Sequence, residues 1–201
     1  MAGKFIIIEG GDGSGKSSVI EFLEERLTED TLFTREPGGT PAAEDMRKVI
    51  LGKYETPLDA FTLMLLLTAS RREHTVKIIK PALAAGRHVL SSRYSASTYA
   101  YQVVAGGVSK EFFMTLDPLS RDGLEPDLWI FLDLDPAVGL ARKKGYKAEL
   151  DHFERQALPF HEAVRAGTKE YISSRPHAII DAGRSKEEVF ATVYDVIKKV
   201  L

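Results

Sequence analysis

One stretch limits what this chain can fold into more than any other: Gly10-Gly11-Asp12-Gly13-Ser14-Gly15-Lys16-Ser17, a full match to the pattern G-x-x-x-x-G-K-[ST]. An apolar run, FIII at Phe5–Ile8, leads into it, and Val19, Ile20, Leu23 and Leu27 follow on one helical face. Strand, glycine loop and helix in that order form a phosphate cradle. The glycines let the backbone wrap an anion with its N–H groups pointing inward. The positive end of the helix adds a favourable field. In this pattern Lys16 reaches the β- and γ-phosphates of a nucleotide, and the Ser17 hydroxyl is the expected Mg²⁺ ligand. Gly10 to Ser17 are therefore the predicted ATP-binding residues.

The rest of the chain alternates short apolar runs with longer helical patterns, which reads as successive β-α units around a parallel sheet. The expected strands are 4–9, 32–35, 88–92, 128–134 and 178–181. Their continuous apolar character suits a sheet covered on both faces. The expected helices are 15–29, 40–51, 57–85, 95–105, 109–116, 136–144, 150–173 and 185–200. The predicted fold is thus α/β, a three-layer P-loop NTPase fold with a central five-stranded parallel sheet flanked by helices. At 201 residues it fits one domain over 1–201. The segment Leu58–Leu67, LDAFTLMLLL, is apolar almost all round, so it needs cover on both sides: the sheet on one, and a neighbouring helix or a second subunit on the other. The segment Arg142–Asp151, RKKGYKAELD, is basic and holds a glycine, as a small mobile lid would.

Composition removes several function classes. A formal net charge of −2 argues against non-specific nucleic-acid binding. The absence of cysteine excludes disulfides, thiol catalysis and thiolate metal sites. The five histidines show no metal-ligand spacing. The apolar run near the N-terminus is too short for a signal-peptide core, and no run approaches a membrane span. A cytoplasmic protein without membrane contact is the expectation.

A phosphate loop alone serves switches, motors and small-molecule kinases alike. A GTPase switch would carry a guanine-selecting N-K-x-D segment, and this chain contains no asparagine. Further cationic and polar residues fall near the predicted strand ends: Arg35-Glu36-Pro37-Gly38-Gly39-Thr40, Ser70-Arg71-Arg72-Glu73-His74, and Ser92-Arg93-Tyr94. Thr98, Tyr101 and Gln102 follow at i, i+3, i+4, a spacing that shares one face of an α-helix. A small-molecule kinase fits best.

With these segments in view, the chain resembles the thymidylate kinase family over essentially its whole length. The motifs are EGGDGSGKSS, TREPGGT, TASRREHT, SRYSASTYAYQ, PDLWIFLDLDP, VGLAR, LDHFE and FHEAVR. The resemblance implies transfer of the ATP γ-phosphate to dTMP with Mg²⁺, in a homodimer. It implies that Arg47 and Arg93 hold the acceptor phosphate, with Arg35 or Glu36 and Pro37 in the same cleft. Arg71 would reach a thymine carbonyl, Thr98 and Gln102 would read the base edge, and Tyr101 would pack near the sugar and disfavour a 2′-hydroxyl. Asp12, Lys16 and Arg93 are the implied catalytic residues. Because Gly13 stands where some members carry an arginine, a lid cation among Arg142, Lys143, Lys144 and Lys147 would complete the ATP site, Arg142 being the residue chosen.

Three positions depart from the family pattern. Leu67 stands where a phenylalanine usually stacks on thymine, which removes an aromatic contribution of ~1 kcal/mol. Ser92 replaces the aspartate of D-R-Y, and His152 replaces the arginine of L-D-R-F-E. Two other functions stay open on these grounds: a kinase for another pyrimidine monophosphate such as dUMP, and a catalytically silent nucleotide-binding protein.

Overall fold

A computed structural model describes residues 3–27, 30–144 and 151–201, with the backbone alone for Lys144. Five strands, β1 (Phe5–Gly10), β2 (Thr31–Arg35), β3 (His88–Ser92), β4 (Leu128–Asp133) and β5 (His177–Asp181), form one parallel sheet in the order β2-β3-β1-β4-β5. The register pairs Ile8 with Ser92, Arg35 with Ser92, and Gly10 with Leu132, so the carboxyl ends of the central strands finish side by side. Ligands of open α/β sheets bind outside those ends.

Alternation along the strands assigns each face its helices. Ile6 and Ile8 with Leu128, Ile130 and Leu132 pack on Val19 and Leu23 of α1 (Lys16–Glu24) and on Val189, Val193 and Ile197 of α9 (Lys186–Lys198). Phe5, Ile7, Trp129 and Phe131 face the other way, onto Met64 of α3 (Ala60–His74), Phe113 of α6 (Lys110–Ser120) and Tyr171 and Ile172 of α8 (Leu158–Ile172). The three-layer fold expected from the sequence is the one found. Among the described residues no helix is long and apolar enough to cross a membrane.

Several helix boundaries differ from expectation, each with a local cause. The long helix predicted over 57–85 starts at Ala60, where the Asp59 carboxylate caps it by accepting from the N–H groups of Phe61 and Thr62. It then passes through a π-helical turn, Thr75–Ile79, into the short α4 (Lys80–Ala84), whose Pro81 has no N–H to give to a normal helical ladder. The helix predicted over 95–105 is α5 (Ser95–Thr98) followed by a second π-helical turn, Tyr99–Val104. The helix predicted to begin at 150 is α8, beginning at Leu158. Pro159 is tolerated in its first turn, and upstream the Asp151 carboxylate accepts from the N–H groups of Phe153 and Glu154, closing a separate turn. Pro118, by contrast, lies inside α6, which runs four residues beyond its expected end at 116.

The remaining helices are α2 (Pro41–Ile50), capped by the Thr40 hydroxyl, and α7 (Pro136–Lys144). Helix α7 is seated directly on the glycine loop. Gly13 lies in the left-handed region at φ 71°, and a Cβ there would come within 2.3 Å of the Gly139 carbonyl oxygen. A Cβ on Gly139 would come within 2.2 Å of the Asp12 carbonyl oxygen. Two backbones meet with no room for a side chain between them. Gly139→Ala is therefore expected to push the loop off its seat. Overpacking of this kind costs about 1–3 kcal/mol, equivalent to a roughly fivefold to hundredfold loss of affinity. Calorimetry with ATP and Mg²⁺ should show a loss in that range, with far-UV dichroism unchanged.

Candidate active site

The glycine loop leaves β1 at Gly10 and enters α1 through Gly15, whose φ of 92° is available to glycine at little cost. Lys16 folds back over the loop, its Nζ donating to the carbonyls of Gly10 at 2.7 Å and Gly11 at 2.8 Å. Burial, then the nearby Arg93 guanidinium, push this ammonium below the usual lysine range. The Ser14 hydroxyl is buried with no hydrogen-bond partner, while Ser17 is exposed at the mouth of the loop.

Beside the loop lies a cleft of about 650 Å³. Of the predicted acceptor residues, Glu36, Pro37, Arg47, Leu67, Arg71, Arg93, Thr98, Tyr101 and Gln102 all line it, together with Asp12. Arg35 does not; it turns outward to Glu44 at 3.0 Å. Glu36 is thus the residue of that pair in the cleft. Thr98, Tyr101 and Gln102 converge as expected, but through the π-helical turn at 99–104 and not on an α-helical face.

Arg93 joins loop and cleft. It follows β3 directly, in the left-handed region at φ 69°, a strained position for a side-chain-bearing residue. Its guanidinium donates to Ser97 Oγ at 3.0 Å and Tyr101 Oη at 3.5 Å, and lies 3.5 Å from Asp12 Oδ1. Burial opposes its charge, but Tyr101, Asp12 and Glu9 outweigh that and hold it firmly protonated. Tyr101 is pushed up to about 12 by burial. Arg47 donates to the Pro37 carbonyl at 2.9 Å, and burial, then Arg35, lower its pKa. The two cations flank the part of the cleft nearest the loop.

Deeper in, Arg71 is almost fully buried. Its Nε donates to Glu36 Oε2 at 2.9 Å and its Nη2 to Thr98 Oγ1 at 2.7 Å, while Nη1 lies 3.6 Å from Asp117 Oδ1 without a hydrogen bond. Asp117 is itself held by Arg121 at 2.9 Å and Tyr171 at 3.0 Å. The Gln102 side-chain oxygen is likewise buried and unpartnered. Two unpartnered polar atoms, Arg71 Nη1 and the Gln102 side-chain oxygen, are therefore buried at the polar end of the cleft, Nη1 facing Asp117.

The segment expected as a lid begins inside a helix. Arg142 and Lys143 belong to the last turn of α7. Arg142 donates to the Gly13 carbonyl at 3.3 Å from outside the loop, and Lys143 is paired with Glu154. Lys147, the rest of 145–150 and the Lys144 side chain lie outside the described residues. Sequence reasoning missed several neighbours of the site. Ile50, Leu51, Asp151 and Phe153 line the cleft, and Phe153 meets the Tyr101 ring edge-on at 5.4 Å. Glu9 sits beneath Arg93, and His161 stands behind Asp12. Signals existed for some of them: Asp151 and Phe153 stand in the LDHFE motif, Glu9 opens EGGDGSGKSS and His161 lies in FHEAVR.

The buried charges yield one prediction. Arg71→Ala leaves Glu36 and Asp117 facing each other with no guanidinium between them. A loss of about 3–5 kcal/mol in urea unfolding is expected; a loss below ~1 kcal/mol would mean that the carboxylates are compensated otherwise.

Comparison with known proteins places the chain in a family. The family profile described as "Thymidylate kinase" matches residues 8–193. The chain is 38% identical to the thymidylate kinase of Teredinibacter turnerae over 206 aligned positions, spanning 100% of both chains. It is 41% identical to that of Symbiobacterium thermophilum, with 98% of this chain and 94% of the relative covered. Among solved structures, the thymidylate kinase of Ehrlichia chaffeensis superposes with a TM-score of 0.77 at 29% identity, covering 98% of this chain and 99% of the other. With a family match over nearly its whole length, relatives near 40% identity and a solved thymidylate kinase of the same fold, the chain belongs to the thymidylate kinase family.

Proposed function

We propose that this protein transfers the γ-phosphate of ATP to dTMP, giving dTDP and ADP. The observation that carries the reading is the junction at Arg93: a cleft with an unpartnered N–H edge and carbonyl at one end opens, at the other, onto a triphosphate loop. In this reading the loop amides and Lys16 hold the donor phosphates, while Arg47 and Arg93 grip the acceptor phosphate, for which a guanidinium fork is suited. Arg71 Nη1 donates to a thymine carbonyl, and the Gln102 oxygen accepts from the ring N–H. The Thr98 hydroxyl fixes Arg71 from the side. Tyr101, with Phe153 against its edge, bounds the sugar. Leu67 covers the base through dispersion. The attacking group is a phosphate oxygen already ionised at neutral pH, so alignment and charge neutralisation carry the rate and no strong general base is needed.

The residues fit magnesium that arrives with ATP. Among the described residues no group of three or more carboxylates and histidines converges as a cage. An exposed Ser17 hydroxyl at the mouth of the loop is the kind of single ligand that an ion held chiefly by phosphate oxygens requires. When bound there, Mg²⁺ offsets the negative charge of the transferring group. Arg142 and Lys143 sit at the start of the 142–151 lid in a single kinase unit spanning 1–201, and a cytoplasmic setting goes with two soluble metabolites.

A homodimer belongs to the same reading. Phe61, Leu65, Phe112, Met114 and Leu119 are exposed on α3 and α6, with the Phe61 and Phe112 rings 5.5 Å apart. An apolar face of this kind marks an interaction surface. It answers the all-apolar character of Leu58–Leu67, one side of which covers the sheet.

Two measurements test these readings. Steady-state phosphorylation of dTMP, dUMP, dCMP, UMP and dGMP should give the highest kcat/KM with dTMP; a higher value for any other acceptor would reassign the substrate. Sedimentation at micromolar concentration should give the mass of two chains, and Leu65→Glu with Phe112→Glu should give one. A single-chain mass for the unmodified protein would remove the dimer.

A further inference from the structure

Asp12 stands between Arg93 and His161 and is fully engaged by neither. Its Oδ1 lies 3.5 Å from Arg93 Nη2, and its Oδ2 lies 3.8 Å from His161 Nδ1. Asp12 Oδ2 and His161 Nε2 are both buried and lack any hydrogen-bond partner. His161 is only 6% exposed. A histidine with a ring nitrogen closed into the interior without a hydrogen bond is costly, and natural structures rarely leave one so without a use. The gap to Asp12 is about 1 Å longer than a good hydrogen bond, which a small carboxylate movement closes.

The backbone around His161 favours movement of Asp12 over movement of the helix. One turn further along α8, Arg165 Nη2 meets Asp133 Oδ2 at 3.0 Å, and Lys169 meets the same oxygen at 2.7 Å. Asp133 ends β4, so α8 is pinned to the sheet beside the loop. Around the ring, Leu134, Leu140 and Val164 line a small hollow that also reaches Gly11 and Asp12. The histidine is thus held rigidly, with one nitrogen directed at the carboxylate of a loop that must hold phosphates.

We propose that His161 is a positioning residue for phosphoryl transfer: it takes the Asp12 carboxylate through Nδ1–H when Arg93 turns from Asp12 to the acceptor phosphate. While the cleft is empty, Arg93 neutralises Asp12. Once a phosphate claims the guanidinium, Asp12 would be left as a buried anion beside further anions, and His161 is the neighbouring donor on its other side. The histidine touches neither substrate; it acts through Asp12. This rests on the dTMP kinase reading above.

The experiment compares kcat and KM for ATP and dTMP in the unmodified protein and in His161→Leu, His161→Asn, Asp12→Asn and the double variant Asp12→Asn/His161→Leu. Leucine keeps the buried volume without a donor, and asparagine sets an amide near the place of Nδ1. His161→Leu should lower kcat roughly tenfold to a hundredfold, the range typical of partners that orient a reacting-site ligand, with both KM values little changed. His161→Asn should recover most of that loss, and in the Asp12→Asn background His161→Leu should add nothing. An unchanged kcat in His161→Leu, equal losses for leucine and asparagine in folded proteins, or additive losses with Asp12→Asn would each overturn the proposal. If leucine does not fold, the asparagine variant decides: near-normal kcat supports the role, and a loss as large as that of Asp12→Asn overturns it. An unmodified protein that phosphorylates no monophosphate would remove the dTMP kinase reading, and this inference with it.

Discussion

A single buried carboxylate ties the two halves of the site together. Glu9, at the end of β1, is 1% exposed and accepts from the backbone N–H of Tyr94 at 2.9 Å and of Ser97 at 3.2 Å, and from the Ser97 hydroxyl at 2.8 Å. Burial pushes its pKa up, and Arg93 leads the groups that work against this. The strand that launches the glycine loop is thereby bonded to the segment that carries Arg93 and begins α5. Parallel pairing of β1 with β3 brings those ends together; Glu9 fixes how Arg93 leaves its strand, in a backbone conformation that side-chain-bearing residues seldom adopt. The distance between donor and acceptor sites follows from this clamp.

The base-reading end is built from charge held in the interior. Arg71 lies between Glu36 and Asp117, with His74 Nδ1 at 3.2 Å from the other oxygen of Glu36 and Thr34 Oγ1 bonded to His74 at 2.7 Å. Burial disfavours the guanidinium charge, and the two carboxylates restore it. Such a network contributes little net stability compared with apolar packing of the same volume. What it secures is direction, since Glu36 is also held by His74 and Asp117 by Arg121 and Tyr171, so the guanidinium is oriented from both sides. Leu67 lines the same cleft as this polar network and presents only an aliphatic surface to it.

Much of this was legible in the chain itself. The glycine loop, the five strands and all nine proposed cleft residues come together in one place, because a strand end in a parallel sheet is a fixed address and motifs beside it inherit that address. What escaped prediction has physical causes. The π-helical turns at 75–79 and 99–104 depend on tertiary packing and leave no periodicity of their own. The start of α8 was misjudged because Leu150–Ser173 has a helical pattern that Pro159 and the Asp151 turn interrupt. Glu9 and His161 lie inside recognisable motifs, but sequence alone does not distinguish a clamp from a solvated side chain. Their roles emerge only when the atoms they face are known.

The posture of Lys16 bears on how quickly such a protein can let go of what it holds. With its ammonium lodged on the carbonyls of Gly10 and Gly11, the lysine must be drawn away from its own backbone by a triphosphate that binds the loop. Association then exchanges bonds instead of adding them, which keeps the nucleotide from sinking into a trap. Spent nucleotide departs by the reverse exchange, the lysine springing back as each phosphate leaves. A catalyst that must discharge two nucleotides every cycle is better served by such a self-closing grip than by one that waits open.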